Sequence, residues 1–348
     1  MSLSLGIVGL PNVGKSTLFN ALTNQTIAAE NYPFCTIDPN VGVVPVADTR
    51  LQVLADIVQT DSIVPAVVEF NDIAGLVKGA HEGEGLGNDF LGHIGMTNAI
   101  VHVIRDFIDD DVVHVDGTVD AVRDRETIET ELILKDLDTV EKQQTRIARE
   151  ARKDSSGEKY LALIHDIRET LEKGQLAITV SADADDRDLS AFRKQLRLLT
   201  DKPVIYVING RWSRTGPEVE KMLRQRLGLP DAARVLPLDI KQEYELSRLA
   251  PDELSEFMQE LGIEYTGLEQ LTREAYTVLG LMTFFYSRKK RSPGVECTFR
   301  QHGSASSRCD PHRLRGQVYQ GRSRIVRRLC SNRWLAGCKD CRQVACRG

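Results

Sequence analysis

Apolar, β-branched runs recur along the first two-thirds of the chain: LGIVGL at 5–10, VGVVPV at 41–46, PAVVEFNDIAG at 65–75, AIVHVIRDF at 99–107, PVIYVIN at 203–209 and RVLPL at 234–238. Each is bounded by Gly, Pro, Asn or Asp, the residues that end strands. Several alternate with helical patterns such as KSTLFNAL at 15–22, which predicts an α/β fold with a mostly parallel sheet covered on both faces.

Between the fourth and fifth runs the period changes. Ile133, Leu137, Val140, Gln144 and Ile147 are spaced 4, 3, 4 and 3; after the polar break Asp154-Ser155-Ser156-Gly157, Tyr160, Ile164, Ile167 and Leu171 repeat 4, 3, 4. This spacing predicts two amphipathic helices joined as a coiled-coil-like hairpin. The stripe either packs only on itself or braces a lever or docking arm.

Composition divides the chain again. Residues 286–348 hold 13 Arg and 3 Lys against 3 acidic residues, so that within an overall charge of −5 the segment 1–285 carries −18. Six of the seven cysteines (Cys297, Cys309, Cys330, Cys338, Cys341, Cys346) share that basic end, and Cys35 stands alone. A boundary is therefore expected near residue 285. No run of 18 apolar residues occurs, and MSLSLGIVGL lacks the basic region of a secretory leader. A cytoplasmic protein with neither membrane nor DNA as partner is the expectation.

The motif that carries chemistry is Gly9-Leu10-Pro11-Asn12-Val13-Gly14-Lys15-Ser16, a P-loop pattern between a strand and a helix. Phosphates are dense negative charge, and glycines let backbone N–H groups wrap them beside the positive end of a helix. Asn12, Val13, Gly14, Lys15, Ser16 and Thr17 are the candidate nucleotide contacts. Lys15 would reach the β- and γ-phosphates, and the Ser16 hydroxyl would ligate Mg²⁺. Thr36, in NYPFCT at 31–36, is placed to complete the Mg²⁺ shell. In Asp72-Ile73-Ala74-Gly75, Asp72 supplies an acid for the metal and Gly75 an N–H for the γ-phosphate.

These segments, with DIAGLVKGA, GEGLGN and FMQELG, resemble the YchF/Obg-like ATPase family over residues 1 to about 283. The resemblance implies a P-loop NTPase of the translation-factor GTPase class with an inserted hairpin and a C-terminal TGS domain. It further implies ATPase activity and ribosome binding, with the large subunit the expected site. On this reading 1–120 and 196–283 form the nucleotide domain, 121–195 the hairpin, and 284–348 an aberrant region at the TGS position.

Position 76, where Ras-like enzymes orient water with glutamine, is Leu76, so slow turnover is expected. His114, after Asp109-Asp110-Asp111, is either a proton donor or water ligand, or a surface histidine in a solvated loop. The resemblance to other PNVGKS proteins implies that Asn12, Lys15 and backbone amides can act with a monovalent cation, K⁺. Guanine recognition normally uses the carboxylate of N-K-x-D; here the strand ends in Asn209-Gly210-Arg211-Trp212, and the later base-contacting segment reads Leu238-Asp239-Ile240-Lys241. Asn209 remains a candidate nucleotide contact, while Trp212 either stacks on a purine or blocks the pocket. ATP is favoured over GTP. A slow ATP-driven switch on the ribosome is the leading expectation; a GTPase of ribosome assembly and a nucleotide-sensing scaffold with little turnover are the alternatives.

From about Phe284 the sequence reads as a frame-shifted TGS domain. Codons for YSRKKRSPGV at 286–295, taken one base later, can encode TAGKKEVRAW, and those for Cys309–Arg313 can encode VIHTD in the same phase. A zinc module on Cys330, Cys338, Cys341 and Cys346 with His302 and His312 is the competing reading, but it lacks paired knuckles.

Overall fold

The computed structural model describes residues 3–26, 40–58, 62–73, 86–109, 114, 117–150, 157–181, 186–212, 216–261, 263–289 and 297–305. In chain order the elements are β1 (Ser4–Val8), α1 (Lys15–Thr26), β2 (Val41–Pro45), α2 (Thr49–Val58), β3 (Ser62–Val64), β4 (Val67–Asp72), α3 (Leu86–Met96) and β5 (Ala99–Arg105). They continue with α4 (Ala121–Glu150), α5 (Gly157–Glu172), α6 (Arg187–Leu196), β6 (Val204–Asn209), α7 (Pro217–Arg226), β7 (Arg234–Leu238), α8 (Ile240–Leu246), α9 (Pro251–Leu261), α10 (Gly267–Val278), β8 (Leu281–Lys289) and β9 (Cys297–Ala305).

The described residues fall in two compact units. The first takes residues 1–45 and 68–279. Its six-stranded sheet runs β2-β4-β1-β5-β6-β7, and the pairs β1–β4, β1–β5, β5–β6 and β6–β7 are parallel. These are the six apolar runs of the sequence. β1 and β5 are buried along their whole length, as central strands covered on both faces must be. Because β4 and β5 lie on opposite sides of β1, the carboxyl ends of β1, β4, β5, β6 and β7 open on one crevice at a topological switch point.

The hairpin helices α4 and α5 pack together through the expected stripe. Ile133, Val140, Ile147, Ile164, Ile167 and Leu171 are buried in one cluster, with Leu137 and Tyr160 partly buried against it. Gln144, the polar member, accepts from Arg168 Nη1 at 3.2 Å. Phe192 and Leu196 of α6 join the same core. α6 starts at Asp186, whose side chain accepts from the N–H groups of Asp188 and Leu189, and ends at Arg197 with φ of 50°. Left-handed backbone at a non-glycine residue costs roughly 1–2 kcal/mol, and glycine is the usual occupant of such a helix end. Where α4 joins the body, buried Asp136 accepts from Leu199 N at 2.8 Å, Thr200 N at 2.7 Å and Thr200 Oγ1 at 2.6 Å. One carboxylate thus satisfies two buried amides that no strand or helix supplies with acceptors.

The second unit takes residues 46–67 and 280 onward. β9 pairs antiparallel with β8 and parallel with β3, and α2 is capped by Asp48, whose carboxylate accepts from Arg50 N at 3.0 Å. Residues 46–67, read from the sequence within the stretch 1–120, form this unit with the β8–β9 pair. The zinc and frame-shift readings of 309–348 fall outside the described residues.

Replacing Asp136 by Ala strands the amides of Leu199 and Thr200 in the interior, at a penalty of about 1–3 kcal/mol for each unsatisfied group. Urea unfolding of Asp136→Ala should therefore show a loss of several kcal/mol, and Asp136→Asn, which keeps one acceptor, a smaller one. Equal stability for the wild type and Asp136→Ala would contradict this account of the hairpin root.

Candidate functional site

The loop between β1 and α1 turns through backbone that few residues adopt. Gly9 has φ of 156°, and a Cβ there would stand 2.5 Å from the carbonyl oxygen of Val103 on β5. Gly14 has φ of 103°, and a Cβ there would meet Asn209 Nδ2 at 2.7 Å. Between them Asn12 is left-handed at φ 61°, a conformation asparagine tolerates better than most residues. The two glycines let the loop close against the ends of β5 and β6.

Asn209, at the end of β6, ties that closure. Its Nδ2 donates to Val13 O at 2.9 Å, and its Oδ1 accepts from Ile240 N at 3.1 Å. One buried side chain joins the phosphate loop to the first residue of α8. Asp239 caps that helix by accepting from Gln242 N, and Asn24 on α1 donates to Ser247 just beyond it.

Lys15 is 7% exposed, and its Nζ donates to Leu10 O at 2.7 Å across the loop. Burial pulls its pKa down from 10.5 to about 8, opposed by the charge of Asp72. Asp72 ends β4, and burial raises its pKa, opposed by Lys15 and by a hydrogen bond with the Ser16 side chain. Ser16, Asp72 and Lys15 are therefore one electrostatic group. The hydroxyl and carboxylate are hard oxygen donors on a partly desolvated spot, which fits Mg²⁺. Among the described residues no cluster of three or more His, Cys, Asp or Glu could hold a metal by itself. Thr17 lies half-buried on α1, and Thr36 and Gly75 lie outside the described residues.

One expectation changes. His114 is not a surface histidine: it is 6% exposed, and its Nε2 lies 2.8 Å from Oδ2 of buried Asp124 in the first turn of α4. The carboxylate that engages it comes from the hairpin helix, 10 residues on. The half-buried Trp212 donates from Nε1 to Ile208 O at 3.1 Å, and its ring packs on the cluster of Ile104, Tyr206 and Leu223.

Sequence reasoning gave no role to His102. It is 3% exposed on β5, 5.7 Å from the ring of Tyr206, and burial, Arg125 and Lys15 together push its pKa down to about 3. The ring therefore stays neutral and adds no charge against Lys15. Tyr206 Oη donates to Glu129 Oε1 at 2.8 Å, which links the strand beside the phosphate loop to the hairpin root. A polar residue inside an otherwise apolar strand was the available signal.

Comparison with known proteins agrees with this fold. The family described as "50S ribosome-binding GTPase" matches residues 4–136. The "Ribosome-binding ATPase YchF" of Bacillus subtilis (strain 168) is 46% identical, the match covering 82% of this chain and 78% of that protein. Its counterpart in Escherichia coli O157:H7 is 43% identical over the same shares. A solved structure, "Structure of the Schizosaccharomyces pombe YchF GTPase", superposes with a TM-score of 0.73 at 31% identity, covering 92% of this chain and 85% of that one.

The Lys15 ammonium gives a pH test with a definite sign. Its folded pKa of about 8 lies below the ordinary 10.5, so between those values the unfolded chain holds a proton that the folded one has released. Ligand-free stability should therefore rise with pH across that window. Triphosphate affinity should run the other way, level below pH about 8 and weakening by up to about tenfold per unit above it, as the free lysine loses its charge. Urea unfolding and fluorescent-nucleotide titration across that range check both. Lys15→Ala should abolish both pH dependences and hydrolysis while leaving the fold at least as stable.

Proposed function

Because the chain belongs to the YchF family of ribosome-binding ATPases, we propose that it is a slow, Mg²⁺-dependent ATP hydrolase acting as a nucleotide-controlled switch on the ribosome, in the cytoplasm. The observation that carries the reading is the grouping of Lys15, Ser16 and Asp72 at the mouth of a glycine-shaped loop. A bound triphosphate would draw the Lys15 ammonium from Leu10 O to the β- and γ-phosphates, where its charge opposes the negative charge that develops in transfer. Ser16 and Asp72, with Thr36, would hold Mg²⁺, which supplies charge neutralisation on the phosphate oxygens. Leu76 cannot orient a water, which supports low intrinsic turnover, with K⁺ at Asn12 as a candidate supplement. With Nε2 of His114 on Asp124, a role on a water would fall to its other ring nitrogen, Nδ1.

Base choice rests on what Asn209 and Trp212 cannot do. Both polar atoms of Asn209 are engaged by Val13 and Ile240, and the Trp212 indole is turned onto Ile208. Neither offers a carboxylate to the N1–H and amine of guanine. That favours ATP, as the names of the curated relatives do; the word GTPase in the name of the fission-yeast structure favours the alternative. The ribosome, through its large subunit, is the proposed partner.

Single-turnover hydrolysis of ATP and GTP, each with and without ribosomes, tests the proposal. ATP should be cleaved slowly, faster with ribosomes, and should bind at least as well as GTP. A GTP preference above about tenfold, roughly 1.4 kcal/mol, would reverse the base assignment. No turnover under any condition would leave the scaffold reading.

For residues from about 284 we propose the frame-shifted origin, supported by the charge and cysteine asymmetry. Sequencing of the coding DNA should reveal a neighbouring frame encoding TAGKKEVRAW. Its absence, or stoichiometric zinc binding by the tail, would defeat that origin.

A further inference from the structure

The segment that joins β5 to α4 leaves the sheet on the crevice side and is tied down at both ends. At its start the fully buried Arg105 turns back on the chain. Its Nε donates to Phe107 O at 3.1 Å and its Nη2 to Asp109 O at 3.4 Å, with the guanidinium 4.5 Å from the centre of the Phe107 ring. At the other end Gly117, at φ 75°, closes a turn by donating its N–H to His114 O at 3.0 Å. Asp120 then starts α4, its Oδ1 accepting from the amides of Val122 and Arg123 at 3.1 Å each. That start puts Asp124 in the first turn, where its Oδ2 lies 2.8 Å from Nε2 of His114 and both side chains are buried.

A carboxylate accepts hydrogen bonds and donates none, so the ring nitrogen that faces it carries a proton. A neutral His114 is therefore the Nε2–H tautomer, with its acceptor lone pair on Nδ1. Asp124 has other support besides the imidazole. Negative charge is favoured in the first turn of a helix, and Arg123 Nη2 stands 3.4 Å from its Oδ1. The Arg123 contact also decides what an amide would do at this position. In Asp124→Asn the carboxamide oxygen would face the guanidinium and its NH₂ would face Nε2, which reverses the tautomer.

We propose that Asp124 is a positioning residue for nucleotide hydrolysis, fixing the orientation and tautomer of His114 so that Nδ1 accepts a hydrogen bond from the attacking water. The inference rests on the proposed hydrolase reading and on a part for His114 within it. Leu76 cannot accept a hydrogen bond, so the water needs an acceptor from another segment. An imidazole whose proton is pinned on the far nitrogen presents one. Because Asp124 belongs to α4, the same contact makes the water-orienting group depend on where the hairpin root sits.

The test uses the full chain as wild type, His114→Ala, Asp124→Asn, Asp124→Ala and the double variant His114→Ala/Asp124→Asn. Single-turnover ATP hydrolysis, fluorescent-ATP titration and thermal unfolding are measured on each, with ring-nitrogen NMR of the histidines; the His114 signal is assigned by its loss in His114→Ala. The ring proton should sit on Nε2 in the wild type and move to Nδ1 in Asp124→Asn. Asp124→Asn should slow hydrolysis by about 100-fold with ATP affinity unchanged. A purely structural tie would make this near-isosteric change the milder one in every readout. A positioning role instead makes Asp124→Asn melt higher than Asp124→Ala yet hydrolyse more slowly. In the His114→Ala background Asp124→Asn should cost no further rate, because its effect passes through the ring. Hydrolysis by Asp124→Asn as fast as by Asp124→Ala, a full further loss in the double variant, or a wild-type ring proton on Nδ1 would each overturn the proposal. Wild-type turnover by His114→Ala would remove His114, and Asp124 with it, from the reaction, while a wild type that cleaves no ATP would count against the hydrolase reading itself; in both cases the NMR arm still decides whether Asp124 sets the tautomer.

Discussion

Holding an ammonium group out of water at the end of a central strand is the demand around which this molecule is arranged. Lys15 is nearly buried, and its charge is tolerated because Leu10 O accepts from it and Asp72 faces it. The arrangement works only if the loop backbone closes tightly, which Gly9 and Gly14 permit by lacking a Cβ where β5 and Asn209 press in. His102, buried on β5, stays neutral at the cost of its basicity and so adds no charge against Lys15. A loop that stores unfavourable charge in this way is suited to exchanging weak protein contacts for phosphate.

Single polar side chains join the distant parts of the chain to that loop. Asn209 spans the P-loop and α8, and Asp136 anchors the hairpin helix to the turn before β6. Tyr206 and Glu129 connect the hairpin root to the strand pair beside Lys15. Such ties are strong because they are buried: a lost partner leaves a polar group with neither protein nor water. They explain how a hairpin of two long helices can be inserted between β5 and β6 without disturbing the register of those strands, which stay paired from Ile100–Val204 to Arg105–Asn209.

Much of this was legible in the sequence. Six apolar runs became six strands because burial on both faces demands continuous apolar residues, and the 4-3-4 spacing became the shared hydrophobic core of α4, α5 and α6 because that period fixes one helix face. The P-loop was legible because phosphate chemistry requires glycine, lysine and a hydroxyl at fixed spacing over eight residues. All of these are local constraints, written where the chain is read.

Partner choice was not local. Nothing in the order of residues says that His114 will face Asp124 rather than the acidic run before it, that Trp212 will fold its indole onto Ile208, or that residues 46–67 will form a unit with β8 and β9. Each depends on which surfaces meet once the sheet and hairpin have formed, and on which buried donor then lacks an acceptor. The sequence by itself determined the fold class, the phosphate loop and the helical insertion. Tertiary structure alone decided how the Asn209 amide is spent and how far Lys15 is desolvated, because burial and long-range hydrogen bonding come into being only when distant segments pack.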